Sequence, residues 1–185
     1  MNLFILRHAS AGTRRINPLL DLKRPLDKDG KSHCLQLAHV LMAMKINFDL
    51  IVSSPLKRSL QTAQLVGTET GYESRILISN ALAPTATFDQ FQRLLRECAP
   101  HENLLVVGHN PNITAFLGQL IDPSVSSISS LDDRTPSRVR LRKGSLARLT
   151  LMRGPATLQW LLDPRIVRSL YATSTKSSRR KISRK

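Results

Sequence analysis

Three short, nearly unbroken apolar runs, at 3–6, 49–53 and 103–107, constrain this chain most. A strand with no polar alternation has no solvated face, so each run reads as an interior strand covered on both sides. Helical periodicity fills the intervals between them. Asp27 can cap a helix over 28–45, whose apolar positions Cys34, Leu37, Ala38 and Leu41 fall at i, i+3, i+4 and i+7. A second helix is expected over 56–70, with Leu60, Ala63, Val66 and Gly67 on one face. Phe88, Phe91, Leu95 and Cys98 mark a third helix, and 113–121 begins a fourth. Strands alternating with helices predict an α/β layer architecture.

The remainder is less regular. A short strand is expected at 76–78. Residues 122–138 carry six Ser, two Pro and few large apolar groups, which predicts a long loop or flap. Further strands are expected at 140–147, 149–152 and 158–162. Arg138, Arg140 and Arg142 alternate with Val139 and Leu141, so one face of that segment is basic. From Ala172 the composition turns to Ser, Thr, Lys and Arg, giving a domain over 1–171 and a basic, disordered tail over 172–185.

The net charge is +15, and six Lys/Arg with no acid lie within 176–185, so the rest of the chain still carries +9. Such a tail contacts polyanions weakly, through counterion release and without reading sequence. The two cysteines, Cys34 and Cys98, sit in helical patterns with no zinc-site spacing, and are expected to be reduced core thiols. No apolar run approaches the roughly 20 residues that cross a bilayer, and the N-terminus lacks the basic region of a secretory signal. A cytoplasmic protein with no membrane contact is expected.

Chemistry concentrates where the three apolar runs end: Arg7-His8 after the first, Ser53-Ser54-Pro55 leading to Arg58 after the second, and Gly108-His109-Asn110-Pro111 after the third. In an open α/β sheet, ligands gather outside the carboxyl ends of the strands. If the three strands are parallel neighbours, Arg7, His8, Arg58 and His109 converge. Two guanidiniums suit the equatorial oxygens of a phosphoryl group in transfer, and a neutral imidazole can attack phosphorus. A cationic second histidine would add a donor. Pro55 is expected in the first turn of the helix that follows, aiming its positive end into the pocket.

These motifs resemble those of the histidine phosphatase superfamily, the phosphoglycerate-mutase-like enzymes. Leu6–Ala9 (LRHA) looks like the RHG signature, 53–63 (SSPLKRSLQTA) is similar to SPxxRxxQTA, and 106–113 (VVGHNPNI) matches the second-histidine motif. GHNP, the chain length and 24–30 (RPLDKDG) resemble the SixA-type phosphohistidine phosphatase branch. The resemblance implies a three-layer α/β/α sandwich with a mostly parallel central sheet. It also implies a phosphorylated nucleophile at His8, with Arg7, Arg58 and His109 on the phosphoryl group and Arg24 as a fifth member. No metal or other cofactor is implied. Asn110 either orients His109 or caps the next helix.

The chain departs from the family pattern twice. Ala9 replaces the glycine after the nucleophile, and 80–86 (NALAPTA) has Ala81 where many members carry a proton-donating carboxylate. Without a general acid, expelling an alkoxide is slow. Imidazole, whose conjugate acid titrates near 6.5, leaves more readily. Asp89 would weaken this inference if its side chain reached the pocket. The expected function is therefore removal of phosphoryl from a protein histidine, through phospho-His8. The alternatives are a phosphatase of small esters or nucleotides, and a non-catalytic phosphoryl- or polyanion-binding module.

Overall fold

The apolar runs become β1 (Asn2–Arg7), β2 (Leu50–Ser53) and β4 (Asn103–Gly108) in the computed structural model, which describes residues 1–124 and 139–182, with side chains to Thr173. With β3 (Leu77–Ile78), β5 (Leu146–Thr150) and β6 (Thr157–Leu162) they form one sheet, in the order β3-β2-β4-β1-β5-β6. The pairs from β3 to β1 are parallel, and β5 and β6 are antiparallel. Helices long enough to cross over join the parallel strands. Only residues 151–156 join β5 to β6, with Gly154 at φ 92°, and so short a connection can only reverse the chain.

Side chains alternate across β1, and this divides the core in two. Leu3 and Ile5 meet α4 (Phe88–Glu97) and α5 (Asn112–Ile121) through Phe91, Leu95, Ile113 and Leu117. Phe4 and Leu6 meet the opposite layer, α2 (Lys28–Ala43), α3 (Lys57–Glu69) and α6 (Pro164–Ile182), through Leu37, Leu41, Ala63, Val66 and Val167. The result is a three-layer α/β/α sandwich. Cys34 and Cys98 are buried free thiols in clusters on opposite faces of the sheet, and burial pushes the Cys34 thiol up to about 12.

Several elements differ from the sequence expectation. The stretch 140–145 is not strand: Ser145 N–H donates to Arg142 O at 2.8 Å, and Gly144, at φ 81°, gives its N–H to the carbonyls of Arg7 and His8 at 3.0 and 3.1 Å. That turn locks the chain onto the end of β1 before β5 begins. After Thr150 the strand stops, leaving Met152 exposed. A short helix, α1 (Pro18–Leu22), and a 3-10 turn (Asn80–Leu82) were not expected. Asn17 caps α1 through its side chain, and Pro18 opens it. Helix α6 runs through Ala172 to Ile182, because no Pro or Gly interrupts the backbone after Pro164. Of the loop expected at 122–138, residues 125–138 lie outside the described residues, as does Arg138 of the basic face.

Asp27 joins the helical layer to the end of β1. One carboxylate oxygen caps α2 at Gly30 N, 2.7 Å away, and the other accepts from Ser10 Oγ at 2.6 Å and Gly12 N at 2.7 Å. The contact is close because Gly30 has no side chain, and a Cβ there would run into the Ser10 carbonyl. Gly30→Ala is therefore expected to destabilise the protein by about 1–3 kcal/mol in denaturant unfolding. Gly118→Ala, in the open interior of α5, should instead stabilise it by about 0.5–1 kcal/mol.

Candidate active site

Strand register sets the site. Arg7 of β1 lies opposite Gly108 of β4, and Val107 lies opposite Ser53 of β2, so three carboxyl ends finish level. The next residues continue that alignment: His8 N–H donates to Gly108 O at 3.1 Å and Ser54 N–H to Val107 O at 3.0 Å. The His8 and His109 rings come to 4.9 Å between centroids. A side chain on Gly108 would meet Ile113 and the Leu82 carbonyl, so glycine allows this tight passage. Arg58 arrives from the first turn of α3. Its carbonyl accepts from Thr62 Oγ1 at 2.7 Å, and that Thr62 hydroxyl in turn accepts from Ala9 N at 3.1 Å. Thr62 thus ties the Arg58 turn to the residue after His8. Ala9 is fully buried and fits where the family pattern has glycine.

The hydrogen bonds also assign the His8 tautomer. Nδ1 lies 2.8 Å from the Ala9 carbonyl, which can only accept, so Nδ1 carries the proton and Nε2 the lone pair. His109 Nε2 lies 2.8 Å from Ser54 Oγ. Arg7 Nη1 donates to Leu141 O at 2.8 Å. Three other buried nitrogens have no protein partner: Arg7 Nε, Arg58 Nε and His109 Nδ1. Buried polar atoms are nearly always satisfied, so three orphans at one strand edge indicate a site made for acceptor oxygens. His8, Arg58 and His109 are only 6, 7 and 3% exposed, which strengthens each charge-assisted bond formed there.

Burial, the adjacent Arg58 and Arg7 guanidiniums and Lys143 hold His8 far below its ordinary value, at about 3. Burial, His8 and the same two arginines push His109 down to about 2. Both imidazoles are neutral at pH 7, so the cationic second histidine envisaged from sequence is not its resting state. A dianion entering between them would favour protonation instead.

The structure brings Arg7, His8, Arg58 and His109 together, and places the other two candidates differently. Arg24 is engaged by Asp21 (Nε to Oδ1, 2.8 Å) and by the carbonyls of Ala11 and Gly12, at 2.7 and 3.1 Å. Asn110 neither contacts the His109 ring nor caps α5 through its side chain. It donates to Leu141 O at 3.1 Å and accepts from Thr114 Oγ1 at 2.7 Å. Pro55 is exposed and precedes the α3 cap at Leu56, so it lies outside the helix it was expected to open.

Sequence reasoning missed Asp21. Arg58 Nη1 donates to its carbonyl oxygen at 2.9 Å and to Oδ2 at 3.3 Å, so α1 holds the Arg58 side chain while Thr62 holds its backbone. The Asn17-Pro18 pair was the available signal, a side-chain cap followed by Pro at the first helical position. Hydrogen bonds from Arg15 N and Arg24 and the Arg24 and Arg58 charges outweigh partial burial, so Asp21 sits below the usual carboxylate range and is ionised at neutral pH. It is no proton donor. Ala81 packs against the core, and Asp89 is exposed on α4. Among the described residues no three His, Cys, Asp or Glu side chains cluster as metal ligands, and no helix is long and apolar enough to cross a membrane.

A cationic, largely buried pocket at the carboxyl ends of parallel strands, with an imidazole lone pair inside it, suits an anionic group such as a phosphoryl. Comparison with known proteins places it further. Residues 3–83 match the histidine phosphatase superfamily (branch 1). An uncharacterized protein from Picosynechococcus sp. is 33% identical over 116 residues, covering 61% of this chain and 68% of its own. The chain belongs to the histidine phosphatase superfamily, whose members are phosphatase hydrolases, typically with a histidine nucleophile. Among solved structures, the protein histidine phosphatase SixA complexed with tungstate matches at TM-score 0.74 and 22% identity, over 89% of this chain and 97% of that one. The α-ribazole phosphatase of Shigella flexneri matches at 0.66 and 18%, over 89% and 97%. The fold is phosphoglycerate-mutase-like.

The depressed imidazoles give a testable pH behaviour. Near pH 5, between the ordinary value of about 6.5 and the folded value of about 3, His8 should stay neutral with its proton on Nδ1. The unfolded chain binds more protons there, so this pair stabilises the fold above about pH 6.5 and loses that contribution as pH falls toward 3. Ring 15N chemical shifts check the assignment: an imidazolium signal from His8 at pH 5 would contradict it.

Proposed function

We propose that this protein is a phosphohistidine phosphatase that removes phosphoryl from a protein histidine by way of phospho-His8. The observation that carries the reading is the set of orphan nitrogens on Arg7, Arg58 and His109 around a His8 whose Nε2 bears the lone pair. In the first step Nε2 attacks phosphorus, and the P–N bond to the substrate breaks, its electron pair going to the departing imidazole. In the second, water attacks phosphorus, the P–Nε2 bond breaks, and inorganic phosphate and free His8 result. Arg7 and Arg58 balance charge on the equatorial oxygens, so the reading needs no metal. His109, once protonated beside the dianion, donates to the same oxygens. Tungstate in the SixA structure is a tetrahedral dianion of the kind such a pocket takes.

The choice of a P–N substrate rests on the lack of a proton donor among the described residues. Ala81 and Asp89 supply none, and Asp21 is ionised. A sugar or glycerate alkoxide would depart unprotonated, whereas imidazole accepts a proton near neutrality. Two free, buried thiols fit a reducing, cytoplasmic setting for such a phosphoprotein substrate.

Turnover of a phosphohistidine peptide should exceed that of serine or sugar phosphates by at least about tenfold in kcat/KM, and His8→Ala should lose about 10³-fold or more. Faster ester hydrolysis would overturn the substrate reading, and an active His8→Ala would overturn the nucleophile.

A further inference from the structure

Against Arg7 lies a cavity of about 450 Å³ whose other lining residues the reaction above does not use. Arg7 and Asn110 form its inner wall, and the 140–143 segment with Arg165 forms its outer one. Arg140, Arg142, Lys143 and Arg165 all line it. Arg142 and Arg165 share the single carboxylate of Asp163, at 3.4 and 3.2 Å. Among the described residues, Arg140 and Lys143 form no ion pair. Lys143 acts on His8 and Asp27, so its charge faces the nucleophile side. The wall is fixed rather than draped: the Leu141 carbonyl accepts from both Arg7 and Asn110, and the Gly144 N–H is held by Arg7 and His8.

We propose that this cavity is a substrate subsite that receives acidic side chains flanking the phosphohistidine of a protein substrate, a proposal that rests on the phosphohistidine reading of the neighbouring pocket. Its volume exceeds what a lone phosphate needs and suits one or two side chains with their backbone. Its cations sit on long stems, those of Arg140, Lys143 and Arg165 exposed, and share the lining with the apolar Leu141 and Pro164. That arrangement complements a carboxylate on an aliphatic stem better than a compact oxyanion, which needs the dry, converging donors found around His8. Because Arg7 lines both the phosphoryl pocket and this cavity, one extended peptide can place its phosphoryl in the former and its acidic neighbour in the latter. The charge pattern of Arg140 and Arg142, an unexplained alternation in the sequence, thereby gains a role in selecting substrate.

The test measures binding and turnover separately. Two unphosphorylated peptides, one with Asp/Glu around the histidine and one with Ala/Ser, are compared by fluorescence anisotropy at low salt. The acidic peptide should bind at least about tenfold tighter, and Arg140→Glu/Arg165→Gln should remove most of that difference, at about threefold per charge. In turnover of the phosphorylated pair, the same variant should lower kcat/KM for the acidic peptide through KM and leave the neutral one unchanged. Equal binding of the two peptides, or a preference that survives in the variant, would overturn the subsite. So would displacement of the acidic peptide by a small bisphosphate at lower concentration than by the peptide itself. Failure to hydrolyse either phosphopeptide would count against the phosphohistidine reading alone, since the binding comparison still reads the cavity.

Discussion

The level ending of three parallel strands governs everything else in this molecule. Pairing of Arg7 with Gly108 and of Ser53 with Val107 makes the next residues, His8, His109 and Ser54, neighbours without any long side chain reaching for another. Each strand is apolar on both faces and is sealed by helices, so the register cannot slip without moving a buried set to the wrong side. The site therefore inherits its rigidity from the core. Secondary ties then fix what register alone leaves free: Thr62 joins the Arg58 turn to Ala9, and the Gly144 turn closes over the Arg7 and His8 carbonyls.

Electrostatics follows from that placement. Two imidazoles 4.9 Å apart and flanked by guanidiniums in a dry pocket cannot both carry charge, so both rest neutral. The same cations that disfavour imidazolium favour an anionic group, and they leave the His8 Nε2 lone pair free, as the proposed nucleophilic role requires. Asp21 restrains Arg58 from outside without becoming part of the acid–base chemistry, because its arginine partners keep it ionised. The proposed preference for a P–N bond rests on Ala81, which stands where many family members carry a carboxylate, and on the lack of another proton donor among the described residues.

The strands and long helices were legible in the sequence because burial writes itself as periodicity. Cys34, Leu37, Ala38 and Leu41 are all buried on α2 as their spacing required, and Asp27 caps that helix. The four pocket residues were legible for a related reason: polar groups closing an apolar run must face something. What escaped was set by contacts distant in sequence or by local turns. Nothing in 140–145 marked a turn except Gly144, since Val139 and Leu141 mimic strand alternation. Arg24, a pocket arginine by resemblance, is also held by Asp21 three residues earlier, the same carboxylate that engages Arg58. Asn110 looked like a cap, yet its amide is drawn to Leu141. The acid that orders the site was invisible because no pattern ties Asp21 to Arg58 across 37 positions.

The central claim is that Nε2 of His8 becomes covalently phosphorylated during turnover. Protein quenched under alkaline conditions in mid-reaction with a phosphohistidine substrate, digested and analysed by tandem mass spectrometry, measures this directly. The account predicts one phosphoryl group on the peptide containing His8, with 31P chemical shift placing it on Nε2, and its disappearance once substrate is exhausted. Full catalytic turnover with His8 unmodified at every time point, or phosphate on His109 instead, would contradict it.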